Sequence, residues 1–418
     1  MSKLNRIVVL HDTLDAIGGA TSLARLSAIR YRAMGYDVVF ITGVPDDGSL
    51  SEYGIETIGL GQAMLRQQPR FEAITSGLYN SHAAKRVSQW IKRNDTDSTA
   101  YHLHNWAQIL SPGIFSALSP VANRTVVSCH DLFNACPNGG LLHFPTGAPC
   151  SLKPMSKECW LSQCDRRGTV HKYWRMLRQV NLNRLARFDE SEMTFVSLHE
   201  GMTDLLRSVG FNPPLLTSVP NPASAYTNGR VPCEQNKPFL FVGRLSAEKG
   251  ADIALKEAHQ AGVPMMIIGE GDLEDELKAK YPEAEFAGFC DHAAIEKYAQ
   301  KARGIIVPSR VREPFGLVVA EAALSGIPVL ISKQSMLSGE INSREMGSVF
   351  DPLKPGDLAG RLSSWTKNDE LTRTMSENAF ANAHAICSSP DDWAQKFIDI
   401  MQARIGSATG AKTPQMAI

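Results

Sequence analysis

The stretch VREPFGLVVAE, residues 311–321, combines groups that could bind a phosphorylated sugar. It places two carboxylates, Glu313 and Glu321, eight residues apart on either side of a Pro-Phe-Gly sequence. Pro314 disfavours helical backbone at the residue before it, so we predict that a helix begins near Gly316. A carboxylate just before that helix and a second one inside it can accept hydrogen bonds from the hydroxyl groups of sugars.

The start of the same helix is also suited to phosphate. The backbone amides of Phe315, Gly316 and Leu317 would point at an anion beyond the helix N-terminus. Two cations, Arg244 and Lys249, lie five residues apart in the loop GRLSAEKG, where they could clamp a diphosphate. An ordinary pair of solvated charges is the alternative for these two residues. Carboxylates for a sugar and a ribose, with amides and cations for phosphate, fit a nucleotide sugar.

A glycine pair, Gly18 and Gly19, follows the first apolar run of the chain. Such a pair lets backbone N–H groups approach an anion at the beginning of a helix, although a tight turn would need the same residues. The sequence is not a G-x-G-x-x-G, which disfavours a nicotinamide dinucleotide as the ligand.

Short runs rich in Val and Ile recur along the chain and are separated by helical stretches, which predicts parallel, doubly wound α/β sheets. The proline-containing stretch 213–226 divides them into two similar halves and is interpreted as a linker. The predicted strands are 6–12, 37–43, 100–106, 124–131 and 193–200 in the first half, and 238–244, 264–271, 284–290, 303–309, 327–332 and 347–351 in the second.

Composition narrows the functional classes. The 418 residues include 43 Lys+Arg and 43 Asp+Glu, so the net charge is near zero and a nucleic-acid partner is disfavoured. No run of eighteen apolar residues is present, and the apolar run near the start is too short for a signal peptide. We therefore expect a cytoplasmic protein with reduced cysteines, and a peripheral position at the inner face of the membrane is compatible with this expectation.

At this point the sequence resembles a known family. EPFGLVVAE is similar to the E-x7-E motif of the family-4 retaining glycosyltransferases, and further motifs follow in the matching order. These motifs are GGA (18–20), HLHN (102–105), SCHD (128–131), VPNP (219–222), VGRLSAEKG (242–250), IIGEGD (267–272), VPSRVREPFG (307–316) and GSVFDP (347–352). The family usually has Asn-Gly where this chain has Asn221-Pro222.

The resemblance implies the GT-B fold, in which two Rossmann-like doubly wound domains face each other across a cleft. It predicts an acceptor-binding domain over 1–222, with an insertion at about 132–168, and a nucleotide-sugar-binding domain over 223–389. A helix over 390–405 would cross back to the first domain, and 406–418 would form a flexible tail.

The resemblance also implies roles for individual residues. Arg244 and Lys249 would neutralise the donor diphosphate, Glu313 would bind the donor sugar, Glu321 would bind the ribose, and His130 would stand beside the donor sugar. Neither a protein nucleophile nor a cofactor is implied, because in retaining members the leaving phosphate helps to deprotonate the acceptor hydroxyl. A structural histidine at a strand end is the alternative for His130.

The implied function is retaining transfer of a sugar from a UDP- or GDP-sugar to a glycan or lipid-linked acceptor, in the synthesis of bacterial surface polysaccharide or lipopolysaccharide. Two alternatives stay open. One is a sugar-nucleotide epimerase of the same fold that transfers nothing, and the other is a non-catalytic carbohydrate-binding protein.

Four cysteines of the insertion, Cys136, Cys150, Cys159 and Cys164, could ligate a structural zinc ion through four thiolates. The alternative is four ordinary cysteines, because the first two lack the tight C-x2-C spacing of zinc sites.

The segment 166–187 contains seven Lys or Arg and no Asp or Glu. Apolar residues alternate with these charges, so an interfacial helix facing anionic lipid is one interpretation. A core helix of the first domain with a basic outer face is the other.

Overall fold

The computed structural model describes residues 3–14 and 19–410. The chain divides into two compact units. The first unit comprises residues 1–145, 151–219 and 390–418, and the second comprises residues 146–150 and 220–389.

A seven-stranded parallel sheet is the centre of the first unit, with the strand order β3-β2-β1-β4-β5-β8-β9. Its central strands are buried runs of Val, Ile, Leu and aromatic residues, as expected for a sheet covered on both faces. The strands of this part of the chain are β1 (Arg6–His11), β2 (Asp37–Thr42), β3 (Glu56–Gly59), β4 (Thr99–Leu103), β5 (Thr125–Ser128), the short β6 (Leu142–His143) and β7 (Ala148–Pro149), β8 (Thr194–Ser197) and β9 (Leu216–Ser218).

The helices that connect these strands cover the first sheet. They are α1 (Gly19–Ala33), α2 (Arg70–Leu78), α3 (Ser81–Asn94), α4 (Gly113–Leu118), α5 (Lys157–Leu161), α6 (Thr169–Ala186) and α7 (Glu200–Ser208). Helix α3 begins where the side chain of Asn80 accepts a hydrogen bond from the amide of Ala83, which satisfies one of the donors that a helix start leaves free.

The second unit is built on a six-stranded parallel sheet with the order β12-β11-β10-β13-β14-β15. Its strands are β10 (Phe239–Val242), β11 (Met265–Ile268), β12 (Glu285–Phe286), β13 (Gly304–Val307), β14 (Val329–Ser332) and β15 (Gly347–Phe350). Its helices are α8 (Ala251–Ala261), α9 (Glu274–Lys280), α10 (His292–Ala299), α11 (Leu317–Leu324), α12 (Ser338–Ser343), α13 (Asp357–Lys367) and α14 (Asp369–Asn382).

The last helix of the chain, α15 (Pro390–Gly410), packs into the core of the first unit. Trp393, Phe397 and Met401 are buried there together with residues of β1 and α1. Their spacing of four residues places them on one face of the helix, so the strip of apolar side chains explains why α15 packs against this core.

Three features differ from the predicted organisation. The stretch 213–226, interpreted as a linker, contains strand β9, because this short segment pairs in parallel with β8 at the sheet edge. Helix α15 continues five residues beyond the predicted end at 405, so 406–410 is helical; residues 411–418 of the predicted tail lie outside the described residues. Residues 146–150 of the insertion group with the second unit.

Candidate active site

In the second unit, the loops after β10 and β13 meet. The loop after β10 contains Lys249 and ends at Gly250, whose backbone has φ of +75°. A Cβ atom at Gly250 would lie 2.2 Å from the carbonyl oxygen of Pro308, which follows β13. Only glycine therefore allows this approach, and it brings Lys249 to the loop that contains Glu313.

Glu313 has two side-chain partners in that loop region. Its Oε1 atom accepts a hydrogen bond from the Lys249 ammonium, and its Oε2 atom accepts one from the Ser309 hydroxyl at 2.6 Å. Burial raises the pKa of Glu313, but the Lys249 charge and the two hydrogen bonds outweigh burial, so the pKa is lowered overall. Glu313 is therefore a carboxylate at neutral pH, held in one orientation.

Arg244, by contrast, is exposed and has no ion pair among the residues that the structure describes. Its guanidinium remains available to an anion from solution. Lys249 is partly exposed as well, so the loop after β10 presents two cationic groups.

Helix α11 begins as the sequence predicted, immediately after Gly316. Gly316 has φ of +77°, a left-handed conformation that other residues adopt at a cost. Phe315 is buried and anchors the turn, and Leu317 is the first residue of the helix. The first amides of a helix have no acceptor within it, and the helix dipole is positive at this end, so an anion is favoured there.

Glu321 lies in the second turn of α11 beside two residues from other segments. Its Oε2 atom accepts a hydrogen bond of 2.7 Å from the Tyr226 hydroxyl, and its Oε1 atom is 4.0 Å from Nε2 of His292. Burial raises the pKa of Glu321, and the Tyr226 hydrogen bond and the His292 charge offset this only in part. The two glutamates of the motif thus have opposite pKa shifts.

In the first unit, His130 follows β5 and belongs to a cluster of imidazoles at neighbouring strand ends. Its Nε2 atom lies 2.9 Å from Nδ1 of His104, which follows β4, and the two rings stack with centroids 5.1 Å apart. Burial, together with a smaller contribution from the nearby His11, lowers the pKa of His130 to about 3. The imidazole is therefore neutral at pH 7 and suited to hydrogen bonding rather than to ion pairing.

The predicted glycine pair is described only in part. Gly19 is the first residue of α1, whereas Gly18 lies outside the described residues.

The sequence of the second unit is similar to that of known glycosyltransferases. Residues 230–382, all within the second unit, match the model of the family described as glycosyl transferases group 1. An uncharacterized glycosyltransferase of Methanocaldococcus jannaschii is 28% identical over 163 residues, covering 35% of this chain and 41% of that protein. The O-antigen chain mannosyltransferase C of Escherichia coli is 29% identical over 148 residues, covering 34% of this chain and 40% of that protein. The chain thus spans about two-fifths of the length of these relatives.

Solved structures match nearly the whole chain. The sucrose-phosphate synthase of Thermosynechococcus elongatus superposes with a TM-score of 0.72 at 16% identity, covering 96% of this chain and 100% of that one. Anabaena HepE in complex with UDP superposes with a TM-score of 0.67 at 18% identity, with the same coverage. The fold is that of the GT-B glycosyltransferases. The sequence-based prediction of fold class is confirmed.

The two glutamates of the motif have polar partners that were not predicted from the sequence. Ser309 stands four residues before Glu313 within a motif that was noted, so its position carried a signal. Tyr226 lies in the supposed linker, 95 residues from Glu321, and His292 is the first residue of α10. Contacts over such distances along the chain leave no local pattern, so they could not be predicted from neighbouring residues.

Lys172 lies among the cysteines of the insertion for which zinc ligation and an ordinary structural role are the two interpretations. Lys172, a fully buried lysine of α6, donates from its Nζ atom to the carbonyl oxygen of Cys159 at 2.7 Å and lies 3.2 Å from the Cys164 sulfur. Cys136 donates a hydrogen bond to Oδ1 of Asn138, and Nδ2 of the same side chain lies 3.5 Å from the Cys164 sulfur, so Asn138 bridges these two cysteines. Cys150 belongs to the segment that groups with the second unit. Across residues 3–14 and 19–410, no group of three His, Cys, Asp or Glu side chains is arranged to hold a metal ion.

The Lys172 amine lies beside two of the sulfurs that zinc would need as thiolates. A protonated lysine there would repel a second cation, which favours the alternative of four ordinary cysteines. The insertion is instead connected to α6 through the hydrogen bonds of Lys172.

Proposed function

We propose that the protein is a retaining glycosyltransferase that moves a sugar from a UDP- or GDP-sugar to a glycan or lipid-linked acceptor. The observation that carries the proposal is the arrangement of Lys249, Glu313 and Ser309 at the start of α11, with Glu321 in the second turn of the same helix. The match of residues 230–382 to a glycosyltransferase family supports it, because that segment contains all four residues.

Each group has a task in this reaction. Lys249 and Arg244, with the amides at the start of α11, stabilise the negative charge that develops on the departing diphosphate. Glu313 accepts hydrogen bonds from the donor sugar, and Glu321 accepts them from the ribose. Holding these acceptors in place before the donor binds reduces the ordering that the reaction requires.

The bond changes can be stated for a retaining transfer. The bond between the anomeric carbon and the diphosphate oxygen breaks, and the acceptor oxygen bonds to the same face of that carbon. The proton of the acceptor hydroxyl passes to the departing diphosphate, so no protein nucleophile takes part. The product then keeps the anomeric configuration of the donor.

The acceptor class rests on what similar proteins are called. The Escherichia coli relative is named for the O-antigen chain, and Anabaena HepE was solved with UDP. We infer that this chain acts in the synthesis of a bacterial surface polysaccharide or lipopolysaccharide and takes its donor as a nucleoside diphosphate sugar.

A screen of UDP- and GDP-sugars by thermal shift, followed by product analysis, tests the proposal. We expect one donor to raise the melting temperature and to give a glycosylated acceptor with an unchanged anomeric configuration by NMR. Epimerised donor without a glycoside would indicate the epimerase. Binding of glycans without binding of any nucleotide sugar would indicate a carbohydrate-binding protein.

Helix α6 exposes an apolar strip that continues onto α2. Trp174 of α6 donates a hydrogen bond to the Ile74 carbonyl oxygen of α2 at 3.1 Å, so the two helices are adjacent. Val170 is 84% exposed, Leu177 54% and Phe71 78%. The α2–α6 face is formed by Phe71, Ile74, Val170, Tyr173, Leu177 and Val180. The other side of α6 is buried, as expected for a core helix of the first unit, and the exposed strip is the basis for proposing an interfacial role as well.

We propose that the α2–α6 face rests on an anionic membrane surface and so brings the enzyme to a lipid-linked acceptor. Arg167, His171 and Arg184 are exposed on or beside α6, and the segment 166–187 contains no acidic residue to offset them. Apolar side chains flanked by cations match a bilayer with acidic head groups. No helix of the described residues is long and apolar enough to span a bilayer.

Sedimentation with vesicles tests the membrane contact. We expect binding to phosphatidylcholine vesicles that contain phosphatidylglycerol, less binding to phosphatidylcholine alone, and weakening by salt. Leu177→Ser should weaken binding about 10- to 150-fold, since burial of one such side chain contributes about 1.5–3 kcal/mol. Phe289→Ser is the matched control, because Phe289 is 70% exposed on the second unit. Equal losses for both variants would contradict the assignment.

A further inference from the structure

The hydrogen bonds of the histidine cluster define where its protons are. His102 lies in β4, and His104 and His130 follow β4 and β5; these three imidazoles are close to the α1 residues Ser27 and Tyr31. The centroids of the His102 and His104 rings are 3.9 Å apart. All of these residues belong to the first unit, and α15 closes the cluster with Phe397 stacked on His102 at 4.5 Å.

Ser27 fixes the first proton. Its Oγ atom lies 2.8 Å from the carbonyl oxygen of Ala24 within α1. A carbonyl oxygen carries no proton, so a contact this short requires the Ser27 hydroxyl to donate to Ala24. Because a hydroxyl has one proton, Ser27 can only accept from its other neighbour, Nε2 of His104 at 3.1 Å. His104 therefore carries its proton on Nε2.

The second proton follows from the first. A neutral imidazole with a proton on Nε2 has an unprotonated Nδ1, which can only accept. His104 Nδ1 lies 2.9 Å from His130 Nε2, so the proton between them belongs to His130. Neutral His130 then has an unprotonated Nδ1. The order of donors is His130 to His104 to Ser27 to Ala24.

We propose that His104 and Ser27 are positioning residues that hold His130 in the tautomer protonated on Nε2, so that its Nδ1 atom accepts a hydrogen bond from a hydroxyl of the bound substrate. The assignment of that substrate as a sugar donor rests on the proposed function, whereas the tautomer does not. The ligand class is any polyol that donates at this position.

The surroundings favour the neutral forms on which the proton order depends. Burial lowers the pKa of His104 well below its ordinary value, and His102, His130 and His11 lower it further. A second proton on this imidazole would give it two donors, one of which would point at the Nε2–H of His130. The reverse order of donors would leave the 2.8 Å contact between Ser27 and Ala24 without a proton.

Nitrogen-15 NMR of histidine-labelled protein without any substrate is the direct test. We expect the His130 ring to show a proton bonded to Nε2 and an Nδ1 resonance typical of an unprotonated ring nitrogen. Assignment uses the loss of the signal in His130→Gln. A proton on Nδ1 of His130 in the unaltered protein would overturn the proposal, whether or not the protein transfers sugars.

Two substitutions of His104 give the functional arm. His104→Gln keeps one donor and one acceptor and should keep both the His130 tautomer and the transfer rate. His104→Leu removes both and should mix the two tautomers of His130. Turnover should fall about fivefold, the loss expected for one hydrogen bond. Ser27→Ala, a smaller change within α1, should also mix the tautomers. A single unchanged tautomer in Ser27→Ala and His104→Leu would overturn the positioning role.

Discussion

The loop region around Glu313 in the second unit and the histidine cluster in the first unit stabilise their titratable groups in different ways. In the second unit the ion pair between Lys249 and Glu313 compensates both charges, and burial is incomplete. In the first unit the imidazoles of His102 and His104 are buried and uncharged, and hydrogen bonds order their protons. The two units thus stabilise polar groups by separate means, through a charge pair in one and through ordered hydrogen bonds between neutral groups in the other.

The difference also affects how each region responds to its surroundings. An ion pair near the surface weakens with salt, whereas a buried neutral cluster is insensitive to salt and sensitive to pH. The two regions can therefore be tested separately, one by charge removal and the other by titration.

The largest expected effect is acid destabilisation of the first unit. Burial lowers the pKa of His102 and of His104 well below the ordinary value. Their folded pKa values are thus below the unfolded value of about 6.5, so the stability they contribute is complete above that pH and is lost as pH falls toward the folded values. Each of these two histidines should lower the free energy of unfolding by about 1.4 kcal/mol per pH unit below about pH 6.5. Hydrogen exchange of the β4 amides between pH 7 and pH 5 measures it.

A pair of variants isolates the histidine contribution. His102→Gln should reduce the slope of the unfolding free energy against pH by about 1.4 kcal/mol per pH unit, the value for one proton. His82→Gln, at an exposed position of α3, should leave it unchanged. A slope that is the same in both variants would mean that the cluster does not control acid stability.

Sequence reasoning succeeded where structure follows from neighbouring residues. The apolar runs identified most strands, and Pro314 with Gly316 predicted the start of α11 within one residue. Strands β3 and β9 were missed because they are short and half-exposed, and so lack a continuous apolar run. The division of the chain into two α/β domains was predicted from the repetition of this local pattern.

The candidate site shows the same limit. Lys249 and Glu313 were found through motifs, although their direct contact spans 64 residues. The motif HLHN was noted, but the partner of His104 is Ser27, 77 residues away on α1. The cysteine spacing left zinc open as one of two interpretations, because spacing does not reveal a buried lysine on another helix. Pairings made by tertiary packing cannot be derived from one sequence.

Removal of the Lys249 charge should have the next largest effect. Lys249→Met removes the charge that we propose contacts the donor diphosphate, and such a contact contributes about 1.5–3 kcal/mol. Turnover per KM should fall about 10- to 150-fold. Lys256→Met is the control, since Lys256 is an exposed lysine of α8 in the same unit. Unchanged steady-state kinetics in Lys249→Met would exclude this lysine from the donor site.

Loss of the Tyr226 hydroxyl should have a smaller effect, confined to binding. Tyr226→Phe removes the hydrogen bond that favours the charged form of Glu321, so the pKa of Glu321 should rise further and its affinity for ribose should fall. One hydrogen bond of about 1 kcal/mol predicts about a fivefold higher KM for the donor with kcat unchanged. Tyr281→Phe changes a buried tyrosine of the same unit and should alter neither constant. A change in kcat alone would contradict this role.

The smallest effects concern the stability of the unliganded protein, where the two glutamates of the motif should differ in sign. The pKa of Glu313 is lowered, so its carboxylate contributes stability above the unfolded pKa, and this is lost as pH falls through the folded pKa. The pKa of Glu321 is raised, so its contribution is present below the unfolded pKa and is lost as pH rises through the folded pKa.

At pH 7, Glu313→Gln should therefore lower the free energy of unfolding by up to about 1 kcal/mol, since Lys249 is partly exposed. Glu321→Gln should raise it, because an amide keeps an acceptor for Tyr226 without a buried charge. Urea unfolding at pH 7 and pH 4 measures both, and the Glu313 difference should shrink at the lower pH. Changes of the same sign at pH 7 would show that the two carboxylates are not held by opposite electrostatics.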